Sequence, residues 1–343
     1  MNIPAFLPNN GTIGLVAPSF GCVYEPYKSC MESAIDRFQK MGYSITEGPN
    51  CRRSDGIGIS STPKNCGREL TEYYCTSDND MLISCGGGEL MCETLDYVDF
   101  EAIKAAAPKW YVGYSDNTNF TFLLNTICDV AAIYGPCIGG FGASELHASL
   151  KDTIDLFTGE KHVVSGYDTF EILSLKDEEH PLASYNLTEK KELKIFNGKE
   201  ACGEAEFSGI ITGGCLDCLS NLVGTKYDNV AAFNDLYLKE GVIWFLEACD
   251  LNVLSIRRAL WQLDRAGWFK NAAGFIIGRP MAAWKQDIMG LDQYRAVTDI
   301  LEKYNVPIVM DADIGHLSPM VPIVSGSYTT VYADSNITLD YHM

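Results

Sequence analysis

Lys109-Trp110-Tyr111-Val112-Gly113-Tyr114-Ser115-Asp116-Asn117-Thr118-Asn119, followed by Phe120-Thr121-Phe122-Leu123-Leu124, is the stretch on which the fold reading turns. A short β-prone run, a Gly-x-Ser corner and a helix-forming segment predict a nucleophile elbow, with Ser115 raised on a sharp strand-to-helix turn. The plainer reading is that Ser115 only caps the helix, since Ser and Asp are common caps. Asn117 stands where an elbow usually has its second glycine.

Working outward, the chain repeats one pattern. Thr12 to Ala17 reads as a buried strand, Glu25 to Met41 as a helix closed by Gly42, and Tyr43 to Ile45 as a second strand. Strand, helix, strand with short joints is the pattern of a parallel α/β sheet. A polar loop from Asn50 to Asn65 precedes a helix over Cys66–Thr76, and the apolar strand Met81 to Cys85 runs into Gly86-Gly87-Gly88. Glycines at the carboxyl end of a parallel strand let backbone N–H groups approach a ligand. The Gly-x-Gly-x-x-Gly spacing of a dinucleotide site is absent. Val130 to Tyr134 is a further strand and Glu145 to Phe157 the last helix of this half.

Residues 159–203 are charged and poorly periodic, and read as a crossover and possible substrate loop. The expected division is residues 1–160, an N-terminal α/β domain with the elbow; 161–203, the crossover; and 204–343, a C-terminal α/β domain. In the last of these, strands are expected at Phe207 to Ile211, Gly241 to Leu246, Gly274 to Gly278 and Pro307 to Met310. Helices are expected at Leu216 to Val223, Val253 to Ala266 and Leu291 to Tyr304, with short β segments closing the chain.

The 343 residues suit two domains, and 47% hydrophobic with 21% charged residues is ordinary for a globular protein. A net charge of −19 repels phosphate backbones and anionic membrane surfaces. Neither nucleic acid nor a membrane is an expected partner. The N-terminus lacks the basic and apolar regions of a signal peptide, so a cytoplasmic protein is expected. The 13 cysteines are odd in number and scattered, and read as reduced thiols packed as small hydrophobes. Cys215-Leu216-Asp217-Cys218 invites a redox or metal reading, but no second Cys or His pair lies at zinc-ligand spacing. No metal or other cofactor is expected.

Two residues supply what a serine needs. Glu247 ends the strand Val242 to Leu246, and His316 lies in a glycine-flanked loop after the strand Ile308 to Met310. A serine hydroxyl becomes a nucleophile when an imidazole takes its proton, and the imidazole needs a carboxylate to fix its tautomer. The order Ser, acid, His is that of the α/β hydrolases. The alternatives are a helix cap or an arginine pair for Glu247, and a core role for His316. His147, His162, His180 and His342 read as loop, helix-surface or terminal residues. For the oxyanion, the N–H of Asp116 is one expected donor and that of Gly87 or Gly88 the other; the Asp116 side chain is expected to cap the helix.

Gly14-Leu15-Val16-Ala17-Pro18-Ser19, the Gly87-Gly88 turn, Gly113-Tyr114-Ser115-Asp116, Tyr134-Gly135-Pro136, Gly213-Gly214-Cys215-Leu216 with Asn221-Leu222, Phe245-Leu246-Glu247, Gly278-Arg279-Pro280 and Gly315-His316 with Pro319 occur in this order. The set resembles the serine LD-carboxypeptidases, among them muramoyl-tetrapeptide carboxypeptidases and microcin C self-immunity peptidases, over almost the whole chain. The resemblance implies a flavodoxin-like N-terminal domain, a swivelling β/β/α C-terminal domain, a site between them and a homodimer. It places nucleophile, acid and base on Ser115, Glu247 and His316. The implied substrate is a small peptide or peptide conjugate: the L,D bond of a murein tetrapeptide, or else a peptidyl-nucleotide. A non-catalytic two-domain binding protein is the reading from another class.

Two departures stand out. Glu89-Leu90-Met91-Cys92 replaces the polar run that many members carry after the glycine pair. Residues 159–203 contain no tryptophan, only Tyr167, Phe170, Tyr185 and Phe196 as aromatics, where microcin-immunity members tend to stack tryptophans on the leaving portion.

Overall fold

The computed structural model describes residues 1–343. The chain divides into two compact units. The first holds residues 1–161 and 173–186, and the second holds 162–172 and 187–343.

In the first unit, strands β1 (Thr12–Val16), β2 (Ser44–Glu47), β3 (Met81–Ser84), β4 (Tyr111–Gly113) and β5 (Ala132–Tyr134) pair in parallel in the order β2-β1-β3-β4-β5. This is the flavodoxin-like doubly wound order, which places the topological switch between β1 and β3. Strands β3, β4 and β5 are buried at every residue, as expected where helices cover both faces of a parallel sheet. Helix α1 (Tyr27–Lys40) buries Cys30, Met31, Ala34 and Phe38, one stripe at helical spacing. Helix α2 begins at Pro63, because Thr62 caps it by accepting the Asn65 N–H at 3.2 Å and proline is tolerated in the first turn. The sequence places that start three residues later, since the cap sits inside a stretch that reads as loop.

The second unit is built on a nine-stranded mixed sheet. Its strands are β6 (Val163–Ser165), β7 (Lys194–Asn197), β8 (Glu200–Cys202), β9 (Ala205–Cys215), β10 (Val242–Glu247), β11 (Ala272–Gly278), β12 (Pro307–Ala312), β13 (Tyr328–Ala333) and β14 (Ile337–His342). The order is β8-β7-β12-β11-β10-β9-β13-β14-β6. The central four, β12 to β9, run parallel and carry the crossover helices Leu216–Leu222, Val253–Arg265 and Gln293–Leu301. Antiparallel strands flank them on both sides.

Strand β9 runs four residues past the expected end at Ile211, through Gly213 and Gly214. Two adjacent glycines read as a break, yet here they are needed within the strand. A Cβ on Gly213 would fall 1.8 Å from the Phe245 carbonyl oxygen, and its φ of +147° is one that other residues rarely adopt. The extension brings Cys215 into register with Glu247.

A buried cation organises the loop after β12. Arg279 is 1% exposed, and one of its terminal nitrogens lies 2.7 Å from Asp313 Oδ1. The guanidinium also donates to the carbonyl oxygens of Asp311 at 3.0 Å and Leu317 at 3.4 Å, and stacks 4.1 Å from the Phe170 ring centroid. Asp313 is completed by the Tyr167 N–H at 2.8 Å and the Lys191 ammonium at 3.5 Å. Both ends of the segment from 311 to 317 are thereby tied to one side chain.

Breaking such a pair leaves an uncompensated buried charge, at a cost of about 3–5 kcal/mol. Arg279→Met is expected to lower unfolding stability by that order in urea titrations. Combining it with Asp313→Leu should recover part of the loss, and a double variant as weak as the sum of the singles would count against the pair.

Candidate functional site

Ser115 follows β4, opens a short 3₁₀ turn over Ser115–Asn117, and leads into the helix Thr118–Thr126. Its φ is +63°, a left-handed backbone uncommon for a residue other than glycine, and the strain that an elbow imposes on its serine. The turn is held from several sides. The Ser115 N–H donates to the Tyr134 hydroxyl at 3.1 Å, at the end of β5. Asn117 donates to the carbonyls of Gly86 at 2.9 Å and Tyr114 at 3.0 Å, and accepts the Tyr111 hydroxyl. A Cβ on Gly113 would lie 2.8 Å from Asn117 Cγ, so Gly113 makes room for the asparagine.

Asp116 is 3% exposed, and its carboxylate reaches beyond its own helix. Oδ1 accepts from the Asn119 side chain at 3.0 Å, while Oδ2 accepts the Ser19 hydroxyl at 2.5 Å and the Met91 N–H at 2.9 Å. One carboxylate thus joins the loops after β1 and β3 to the turn after β4. Within the Gly86–Gly88 segment, Gly87 packs on the serine. A Cβ on Gly87 would sit 3.1 Å from Ser115 Oγ and 4.0 Å from the Asp116 nitrogen. Gly88 lies against Ser19, whose Oγ would be 2.0 Å from an added Cβ. Ser115, Gly87 and the Asp116 N–H are therefore neighbours within the first unit, while Gly88 faces Ser19 and Phe20.

Glu247 and His316 lie together in the second unit. Glu247 ends β10 and is 1% exposed. His316 Nδ1 is 2.9 Å from Glu247 Oε2. With the carboxylate ionised, Nδ1 carries the proton and Nε2 of the neutral ring remains an acceptor. Glycines clear the space for this contact. A Cβ on Gly315, at φ +100°, would lie 2.6 Å from Glu247 Oε2, and one on Gly278 would lie 2.2 Å from the Ile314 carbonyl oxygen. Burial alone pulls the imidazole pKa down. The charge and hydrogen bond of Glu247 work against it, and the pKa is held well above the ordinary histidine range.

The other histidines lie elsewhere. His147 caps the helix Ala148–Thr158 by accepting the Ser149 N–H at 3.1 Å, and exposed His180 pairs with Asp177 at 3.1 Å. The His162 carbonyl accepts the Tyr341 N–H at 2.9 Å, and His342 lies 3.2 Å from the Thr330 hydroxyl.

Several residues of this ground went unread in the sequence. Asp217, inside the Cys-x-x-Cys motif, accepts the N–H groups of Cys249 and Asp250 at 3.0 Å each, and the Cys215 thiol at 3.2 Å. It ties the end of β9 to the segment after Glu247. The Cys249 thiol lies 3.6 Å from Asp250 Oδ1, and burial pushes its pKa up. Tyr134 and Arg279 lie in motifs quoted for the resemblance, but their partners are remote in sequence. No group of three or more His, Cys, Asp or Glu side chains has metal-holding geometry, and no helix is long and apolar enough to cross a membrane.

The chain is 24% identical over 318 residues to the microcin C7 self-immunity protein MccF of Escherichia coli, covering 89% of this chain and 86% of that one. It is 21% identical over 336 residues to a Bacillus subtilis protein named "Probable murein peptide carboxypeptidase", covering 94% and 89%. Among solved structures, MccF in complex with aspartyl sulfamoyl adenosine aligns at a TM-score of 0.80 and 21% identity, over 100% of this chain and 99% of that one. That likeness establishes the mixed α/β, two-domain fold. Residues 13–135 match the LD-carboxypeptidase N-terminal domain and residues 208–331 the LD-carboxypeptidase C-terminal domain. The two matches together span well over half of the chain, which belongs to the LD-carboxypeptidase family.

Proposed function

We propose that the protein is a serine carboxypeptidase that cleaves an amide bond next to a free carboxyl terminus, with Ser115 as nucleophile, His316 as base and Glu247 as its orienting acid. The observation that supports this most is the left-handed Ser115, with the Gly87 backbone packed against its hydroxyl. A capping serine has no need of that conformation. The Glu247–His316 pair at 2.9 Å supplies the complementary half of the chemistry.

In this reading Ser115 Oγ attacks the carbonyl carbon while its proton passes to His316 Nε2. The N–H groups of Asp116 and of Gly87 or Gly88 stabilise the oxyanion. His316 returns the proton to the departing amine, and a water activated by the same imidazole releases the acyl group. The preferred substrate is the L,D bond of a murein tetrapeptide. A peptidyl-nucleotide is the second reading, favoured by the similarity to MccF along most of the chain. A homodimer, as the resemblance implies, accompanies either reading, and so does the cytoplasmic location expected from the N-terminal sequence.

Mass-spectrometric detection of D-alanine released from purified murein tetrapeptide tests the proposal. Release is expected from the native chain, and Ser115→Ala should lower it at least about a thousandfold. Equal release by Ser115→Ala would remove the serine from the mechanism. Release of aspartate from aspartyl sulfamoyl adenosine, with no D-alanine from the tetrapeptide, would select the second reading.

The elevated His316 pKa sets a pH dependence. The base is active only when neutral, so kcat/KM should rise with pH through a midpoint above the ordinary value of about 6.5. Because the folded pKa exceeds the unfolded one, the stability His316 contributes is fully present below about 6.5 and is lost as pH rises through the folded value. An NMR titration of the imidazole should give the same midpoint, and Glu247→Gln should lower it. A native midpoint at or below 6.5 would contradict both expectations.

A further inference from the structure

The mechanism leaves a buried carboxylate of the first unit without a task. Glu69, in helix α2 (Pro63–Cys75), is 1% exposed and reaches the segments that follow β1 and β2. Gly48 makes room for it, since a Cβ there would fall 1.9 Å from Glu69 Oε1. Its partners are all neutral. Oε1 accepts the Ala17 N–H at 3.4 Å and lies 3.9 Å from the Cys51 thiol, while Oε2 accepts the Asn50 side-chain amide.

These contacts govern the loop after β1. Ala17 is the root of that loop, and the rest of it lies on the turn that contains Asn50. A Cβ on Gly21 would meet the carbonyl oxygens of Arg53, Asn50 and Cys51 at 2.4 to 2.9 Å, and the Cys22 N–H donates to the Cys51 carbonyl at 2.7 Å. Two groups of the loop then reach the nucleophile turn. The Ser19 hydroxyl donates to the Asp116 carboxylate at 2.5 Å, and the Phe20 N–H donates to the Gly87 carbonyl at 2.9 Å. Asp116 and Gly87 are the residues whose own N–H groups face the proposed oxyanion. Glu69 thus stands two contacts away from both.

Nothing around Glu69 supplies a counter-charge. On α2, Cys66 lies 3.3 Å from the Ser60 hydroxyl, the Tyr73 hydroxyl donates to the Glu47 carbonyl at 2.7 Å, and exposed Arg68 is 3.9 Å from Glu72. After β2, the Cys51 thiol donates to the Leu15 carbonyl at 3.2 Å, Arg52 pairs with Glu47 at 2.8 Å and Arg53 with Asp55 at 2.7 Å. Strand β1 has no titratable side chain, and in its loop the Cys22 thiol donates to the Cys85 carbonyl at 3.4 Å. Burial therefore pushes the Glu69 carboxyl up to about 7, against the pull of the Asn50 and Ala17 donors. As an anion the carboxylate accepts at both oxygens. Once protonated, one oxygen is a hydroxyl and a poorer acceptor for the N–H that faces it.

We propose that Glu69 is a positioning residue for the nucleophile turn: as an anion it holds the loop after β1 in the form that fixes Gly87 and Asp116, and on protonation it lets that loop go. That the loop then sets the rate of hydrolysis rests on the peptidase reading, whereas the hold on the loop does not.

The test joins NMR to kinetics on the full chain, with Glu69→Gln as a neutral isostere. In the native chain the Phe20 and Gly87 amide signals should move with pH through the midpoint of the Glu69 carboxyl carbon, at about 7. That movement should vanish in Glu69→Gln and persist in His316→Gln; either opposite result overturns the proposal. At about pH 8, kcat for hydrolysis should be about tenfold lower in Glu69→Gln with KM unchanged, and the ratio should close towards one below about pH 6. The imidazole titrates in both chains and cancels from this ratio. A ratio that ignores pH is what a merely structural role gives, and overturns the proposal. Should Glu69→Gln unfold, seen as collapsed amide dispersion, the native chain decides: amides that titrate with the carboxyl support the hold, and amides that stay still overturn it. Glu69-dependent movement in a chain that hydrolyses no peptide would sink the peptidase reading and leave the hold on the loop. Hydrolysis with amides indifferent to Glu69 would do the reverse.

Discussion

A non-glycine residue held at φ +63° at the carboxyl end of a parallel strand is the constraint around which the first unit is arranged. Such a backbone costs on the order of 1–3 kcal/mol and persists only where the surroundings over-determine it. Here they do so by converging from every neighbouring strand end. Tyr134 comes from β5, the Gly86 carbonyl from the loop after β3, and Ser19 from the loop after β1 by way of Asp116. The 2-1-3-4-5 strand order makes this possible, since it sets the ends of β1, β3, β4 and β5 side by side. The topology and the strained serine are consequently one design: change the order, and the groups that fix the turn no longer meet.

The second unit solves a different problem with the same means. A carboxylate at the end of a buried strand is costly unless a hydrogen-bonded partner compensates it. His316 fills that role because its loop can settle directly on Glu247, and that closeness depends on two missing side chains, at Gly278 and Gly315. The Arg279–Asp313 pair ties down the same loop. Support for the imidazole thus comes from groups that never touch it.

Much of this was legible in the chain. Apolar runs such as Met81 to Ser84 and Val242 to Leu246 announce buried parallel strands, and the glycines after β3 mark a close backbone approach. The unusual corner at Ser115 and the post-strand positions of Glu247 and His316 could be read as well. What escaped is what depends on partners remote in sequence. Asp217 looks like filler between two cysteines until Cys249 and Asp250, more than 30 residues away, place their N–H groups on it. Gly213 and Gly214 signal a break by local propensity, and only the close approach of Phe245 shows them to be strand residues. The Asp116 carboxylate, adjacent to a helix, gave no local sign that it would bridge two other loops.

The path of the chain between residues 161 and 187 has a bearing on how the protein was assembled in evolution. The polypeptide passes from the first unit to the second, returns for residues 173–186, and passes over again. The returning segment is woven into the first unit. The Pro181 carbonyl accepts the Cys30 thiol at 2.9 Å, the Leu182 carbonyl accepts the Ser144 N–H at 2.8 Å, and the Tyr185 ring lies 5.4 Å from that of His147. Three joints rather than one connect the units, so no single recombination point separates them. A chimaera spliced at residue 161 would give its N-terminal half a strap drawn from the other parent, which favours inheritance of the two halves together.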